Sequence, residues 1–147
     1  TDSRNLRNIF MEIINICYDK NFTSEGLSNC DIRNLDSIPN FSAHKIIMSF
    51  LNQLEKKQSL DIIEGLCKKL RQGGTLTFNL LDFDQLINFY QNQKIKLDDI
   101  IIHTNGIQCF ISRAEVIKMF HKNSQMSLDS ILYDDIYSIC TVSRKSL

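Results

Sequence analysis

Several common features are scarce or missing in this sequence, and each gap excludes something. Lys+Arg and Asp+Glu are 17 each, so the formal net charge is zero. A general nucleic-acid binder would usually carry a basic excess, so nucleic acid is not indicated as a partner. The five cysteines, at positions 17, 30, 67, 109 and 140, are scattered and contain no CxxC pair. An odd, unpatterned set argues for free thiols in a reducing, cytoplasmic setting, and against a disulfide framework or a zinc site. His44, His103 and His121 lie far apart with no His-x-x-x-His spacing, so no metal is expected. No apolar run approaches the roughly 20 residues of a membrane span, and no secretory signal is visible. There is one proline, Pro39, and neither an internal repeat nor a low-complexity segment.

What remains is an ordinary globular composition. The 147 residues are 43% hydrophobic and 23% charged, which suits one packed domain over residues 1–147 rather than a disordered chain. A domain of this length buries roughly 70% of its unfolded surface.

The organising stretch is residues 60–81, LDIIEGLCKKLRQGGTLTFNLL. Leu60, Ile63, Leu66, Cys67 and Leu70 recur at spacings of three and four and line one helical face. Asp61 and Glu64 come early and Lys68, Lys69 and Arg71 late, an order that complements the helix dipole. Gly73-Gly74 is expected to stop the helix, since glycine accepts the left-handed conformation of a C-cap. P-loop chemistry is excluded there, because no helix and no Lys-Ser/Thr follow. Thr75 to Leu81 is β-branched and apolar, as a buried strand is. A helix running straight into a buried strand is half of a βαβ unit.

The other segments are placed around it. Leu6, Ile9, Phe10, Ile13, Ile14 and Cys17 follow helical spacing, which predicts an amphipathic helix over residues 4–19, within an N-terminal element of residues 1–20. Residues 21–29 read as a loop, 30–33 as a short strand, and 34–42 as a loop with one helical turn near Leu35 and Ile38. Lys45 to Leu51 reads as a buried strand. Phe83, Leu86, Ile87 and Tyr90 predict a helix capped by Asp82. Residues 95–102 stay ambiguous. Ser112 and Glu115 form a capping box that opens a further helix. Residues 127–134 and 136–144 read as two strands about a tight Asp134-Asp135 turn. The order implies an α/β fold of about five strands, mostly parallel, with an antiparallel C-terminal strand pair.

The segments SFLNQLE (49–55), LRQGGTLTFNLLDFDQLINFY (70–90) and ISRAEVIKMF (111–120), with the closing strand pair, resemble the C-terminal half of class I S-adenosylmethionine-dependent methyltransferases. The resemblance spans residues 30–145 and implies a reduced Rossmann-like sheet. It also implies sites. Asp31, with Ile32, would lie near the cofactor adenine. Ser49, Phe50 and Asn52, at the end of the next strand, would border the cofactor and substrate pocket. Asn79 and Asp82 would face the substrate. His103, before the Thr104-Asn105-Gly106 turn, falls in a region that sometimes covers the active site in that family.

The family's glycine-rich loop, resembling (D/E)xGxGxG, has no counterpart here. Residues 1–29 hold only Gly26, and close approach of backbone to the methionine part of the cofactor needs small residues and positive φ. No cofactor is therefore expected for this chain alone. The expected function is a non-catalytic, methyltransferase-like protein that works through a protein partner or as a homo-oligomer. The alternative is an S-adenosylmethionine-dependent methyltransferase whose missing half comes from an upstream part or a partner chain. An acid/base role for Asp82 and Asp84 competes with capping by Asp82. Asp98-Asp99 lacks a third metal ligand nearby in sequence. Cys67, on the apolar helix face, and Cys140, in an apolar strand, read as core.

Overall fold

In the computed structural model, residues 13–17 and 27–146 are described. Six strands among them form one sheet in the order β2-β1-β3-β4-β6-β5. They are β1 (Ile13–Cys17), β2 (Ser28–Asp31), β3 (Ala43–Met48), β4 (Leu70–Leu81), β5 (Met126–Asp134) and β6 (Tyr137–Arg144). The helices are α1 (Lys56–Lys69), α2 (Phe83–Gln91), α3 (Leu97–Thr104) and α4 (Arg113–Lys122), with 3-10 helices at Ile32–Ser37 and Leu51–Gln53. Strands β2, β1, β3 and β4 pair in parallel. The reversed strand is β6, which lies one place in from the edge and pairs antiparallel with both β4 and β5. The expected mostly parallel α/β sheet with an antiparallel C-terminal pair is therefore the fold.

Two expectations are corrected. Residues 13–17, predicted as the end of an N-terminal helix, form β1, which pairs on both sides. Ile13, Ile14, Ile16 and Cys17 are a short apolar run, and such a run fits a strand as well as a helix. Parallel ladders to β2 and β3 satisfy its backbone, and residues 14–17 are buried. The rest of that prediction, residues 4–12 and 18–19, lies outside the described residues.

The second correction concerns Gly73-Gly74. Helix α1 ends at Lys69, four residues before Gly73, and β4 starts at Leu70. The glycines sit inside β4, in a bulge. The register against β3 passes from Ala43–Leu70 to Lys45–Thr75, so His44 alone opposes Arg71, Gln72, Gly73 and Gly74. Gly73 takes the left-handed conformation at φ +74, and a Cβ on Gly74 would meet the Ala43 carbonyl oxygen at 2.6 Å. The glycines are needed by the strand irregularity, not by the helix end.

Residues 95–102, ambiguous in sequence, contain most of α3. The final turn falls at Asp135-Ile136, one residue later than expected, with Asp135 at φ +59.

Alternation along the strands sorts side chains onto two faces. Ile46, Met48, Leu76, Phe78, Cys140 and Val142 share one face and are buried against Ile63, Leu66 and Cys67 of α1 and Val116 and Phe120 of α4. The opposite face of β4 carries Thr75, Thr77 and Asn79, all half-buried. A smaller cluster of Leu81, Leu86 and Ile136 gathers α2 and α3 around the end of β4.

Candidate functional site

In an open α/β sheet a ligand crevice forms beyond the carboxyl ends of the parallel strands, where the strand order reverses. Here the chain runs outward from β1 to β2, then crosses back to β3 and β4, so the reversal lies between β1 and β3. Cys17, Asp31, Met48 and Leu81 end the four parallel strands on one edge of the sheet. Seven of the eight sequence-predicted positions fall at or near that edge. Asn79 is two residues inside β4, on the face away from the main core.

Asp31 closes β2 and caps the 3-10 helix that follows. Its Oδ1 accepts from the Arg33 backbone N–H at 2.8 Å and from Arg33 Nε at 2.9 Å, and its Oδ2 accepts from Arg33 Nη2 at 2.7 Å. Ile32 begins that helix and packs against the main core. Ser49 is exposed at the mouth just after β3, while Phe50 is buried.

Asn52 is buried, and its amide ties three segments together. Its Oδ1 accepts from the Leu81 N–H at 2.8 Å, and its Nδ2 donates to the Cys109 carbonyl at 3.1 Å. Its own carbonyl accepts from the N–H groups of Gln108 and Cys109. Asp82 is used in a similar way. Its Oδ1 accepts from the Gln85 N–H and caps α2, as expected, and its Oδ2 accepts from the Ser138 hydroxyl at 2.6 Å. His103 lies on α3 beside Tyr137, with Nδ1 3.5 Å from the tyrosine oxygen and the rings 6.3 Å apart and edge-on. Tyr137 is the register partner of Leu81, which brings His103 to the end of β4.

A cavity of about 300 Å³ opens at this end of β4, with Asp82, Phe83, Asp84, Phe110 and Arg113 in its wall. Phe83 and Phe110 meet edge to face at 5.1 Å. Arg113 donates to the Tyr133 hydroxyl at 2.6 Å, with its guanidinium over that ring. Sequence reasoning missed Phe110 and Arg113. The capping box around Arg113 was legible, but nothing local marks an arginine as facing a cavity.

Two of the thiols are poor nucleophiles. Burial pushes Cys67 up to about 12 and Cys140 up to about 11, which leaves both protonated at neutral pH. Glu115 is held below the ordinary carboxylate range, chiefly by its hydrogen bond from Lys56 at 2.6 Å. That pair joins the first turns of α1 and α4. The three histidines fall on β3, α3 and α4, and no group of three or more metal-ligating side chains occurs among the described residues. No helix among them is long and apolar enough to cross a membrane.

No family model and no curated protein matches the chain. Solved structures do match its fold. A Bordetella parapertussis protein described as a possible exported protein aligns at TM-score 0.64 and 10% identity, over 92% of this chain and 54% of its own. An S-adenosylmethionine-dependent methyltransferase from Anabaena variabilis aligns at TM-score 0.57 and 13% identity, over 99% of this chain and 73% of its own. A chain from the Haloferax volcanii complex of a methyltransferase activator with a methyltransferase aligns at TM-score 0.59 and 9% identity, over 99% and 89%. This chain thus spans about half the length of the Bordetella protein. At these identities the likeness is one of fold.

Proposed function

We propose that this chain is a non-catalytic, methyltransferase-like protein that works through protein association. The observation that carries the reading is an apolar surface on α2 and α3. Phe83, Ile87 and Tyr90 recur along one exposed side of α2, while Leu97, Ile101 and Ile102 stand exposed on α3, the last two at 60% and 69%. Exposed apolar side chains recurring on two successive helices are what a contact surface would carry. The same stretch of chain carries exposed charges of both signs, Asp84, Lys94, Lys96 and Asp98. An isologous contact sets one patch against itself, which an apolar surface flanked by charges of both signs can satisfy, and the occupant we assign is a second copy of this chain. A chain of similar fold from Haloferax volcanii, solved in a complex with a methyltransferase activator, supports association as a use of this fold.

The chemistry of the carboxyl edge supports the non-catalytic half of the reading. Asn52 and Asp82 are bonded to backbone and side chains of neighbouring elements, and Asp31 chelates Arg33. Sedimentation of the full chain, with and without S-adenosylmethionine, tests both halves. A dimer at about 10 μM protein is expected, unchanged by the cofactor and converted to monomer by Ile101→Glu. A monomer at about 100 μM would remove the association reading, and calorimetric binding of S-adenosylmethionine with a Kd of about 1 μM would remove the non-catalytic one.

The second reading is an S-adenosylmethionine-dependent methyltransferase. What favours it is the reversal of strand order between β1 and β3, with Ser49 exposed at its mouth and Asp31 at the end of the adjoining β2. In that case Asp31 and Ile32 would lie near adenine, Ser49 and Phe50 would border the cofactor, and Asn79, Asp82 and His103 would face the substrate. Asn52 would position the wall from behind. Loss of S-adenosylmethionine binding in Asp31→Ala is the expected result, and unchanged affinity would remove that site.

A further inference from the structure

The opposite, amino-terminal edge of the sheet holds a feature that no part of the methyltransferase-like reading uses. An open cavity of about 630 Å³ is lined by Phe41, Arg71, Gln72, Gln125, Arg144 and Lys145. Three of these six residues are cations and none is an acid, in a chain whose formal net charge is zero. The ion pairs among the described residues are Arg33–Asp31 and Lys56–Glu115, so the three cations have no carboxylate partner there.

The bulge in β4 creates this arrangement. Four residues standing against His44 alone give the strand slack, and the turn at Gly73 takes it up. Arg71 is half-buried with Nη2 2.7 Å from His44 Nδ1. Its Nε is fully buried and has no acceptor. Arg144 is held in place on three sides: Nη1 donates to the Cys67 carbonyl, Nη2 donates to Gln125 Oε1 at 3.0 Å, and the guanidinium lies 4.4 Å from the centroid of Phe41. Phe41 is itself held at φ +61 and exposes 58% of its surface.

We propose that this cavity binds the phosphate group of a phosphate monoester. Arg71 and Arg144 keep guanidinium N–H groups beyond those bonded to His44, Cys67 and Gln125 for the phosphate oxygens, and Lys145 adds a third positive charge. A monoester dianion suits three cations better than a carboxylate does, and the exposed part of Phe41 can pack against a ring carried by the phosphate. The site lies across the sheet from the carboxyl edge and does not depend on whether the chain is catalytic.

Amide NMR titration of the full chain tests the proposal, with inorganic phosphate, adenosine 5′-monophosphate and adenosine as probes. Saturable shifts at Arg71 to Gly74 are expected with a phosphate-bearing probe, at a Kd of about 1 mM or tighter. Equal affinity for phosphate and the nucleotide would identify free phosphate as the ligand. Tighter binding of the nucleotide, with no response to adenosine, would identify a phosphate ester. Arg71→Gln and Arg144→Gln should each weaken binding by about tenfold, the loss of one charge-assisted contact. Lys145→Gln, at the exposed end of β6, should weaken it severalfold without risk to folding. The proposal fails if neither phosphate probe shifts these amides, or if the Lys145 variant and a folded arginine variant bind as the parent does.

Discussion

At the carboxyl edge of the sheet, polar side chains are bonded to other parts of the protein. At the amino edge they are left with donors in hand. Asn52 and Asp82 reach across sequence separations of 29 to 57 residues to close the first edge. Arg71 and Arg144, at the second, point cationic groups into a cavity that contains no acid. The contrast bears on function, because the first edge is where this fold places its ligands. Side chains used as internal ties hold an edge in place. Cations gathered beside a bulge make an edge receptive.

The largest effect is expected from cutting the strongest tie. Asn52→Ala leaves the Leu81 N–H and the Cys109 carbonyl buried and unpaired, each costing about 1–3 kcal/mol, so a loss of about 3 kcal/mol is expected. The urea midpoint of the variant measures it. A loss below about 1 kcal/mol would mean that water replaces the amide, and that this edge is less closed than its bonding implies.

A smaller effect is expected at the amino edge. In Gly74→Ala a new Cβ would press on the Ala43 carbonyl at 2.6 Å and on the Arg71 carbonyl at 2.9 Å, both of them backbone, at a cost of about 2 kcal/mol. Gly65→Ala is the matched control. It lies on α1 with nothing within 4 Å of the added carbon, so it should stabilise the chain by about 0.5–1 kcal/mol. If the two variants behave alike, the bulge is not a fixed feature and the cavity loses its frame.

How much of this was legible in the sequence depended on distance along the chain. The Asp82 cap and the Ser112–Glu115 capping box are partners three residues apart, and both were readable. The ties from Asn52 and the cavity between residues 41, 71, 125 and 144 join distant segments, and nothing local announces them. Strand β1 was hidden for another reason. Ile13, Ile14 and Cys17 continue the spacing of Leu6, Ile9 and Phe10 with no turn residue between, so the pattern alone favours a helix, and only pairing with β2 and β3 decides for a strand. Gly73-Gly74 reads as a helix stop in sequence and forms a strand bulge in the structure, because a glycine pair serves both equally well. The stripe on α2 was also read correctly as periodic, yet only Leu86 of its residues is buried. Phe83, Ile87 and Tyr90 face outward, which is what made a contact surface visible.

The smallest effect tests whether every bond at the carboxyl side matters. The Lys56–Glu115 pair is short, but the two side chains are 47% and 40% exposed. Solvent screening at such exposure limits the pair to about 0.5 kcal/mol. The hydrogen bond from Lys56 lowers the Glu115 pKa from its ordinary 4.5, so the folded state favours the ionised form. The contribution is therefore present above that ordinary value, and it is lost as the pH falls through the lowered folded value. Lys56→Gln should reduce stability slightly at neutral pH and at low salt. The difference from the parent should shrink in high salt and vanish once the pH falls below the lowered folded value, where the carboxylate takes up its proton in both proteins. A difference that persists in acid would mean that Lys56 acts through packing of its aliphatic stem between α1 and α4, and the tie would then be apolar.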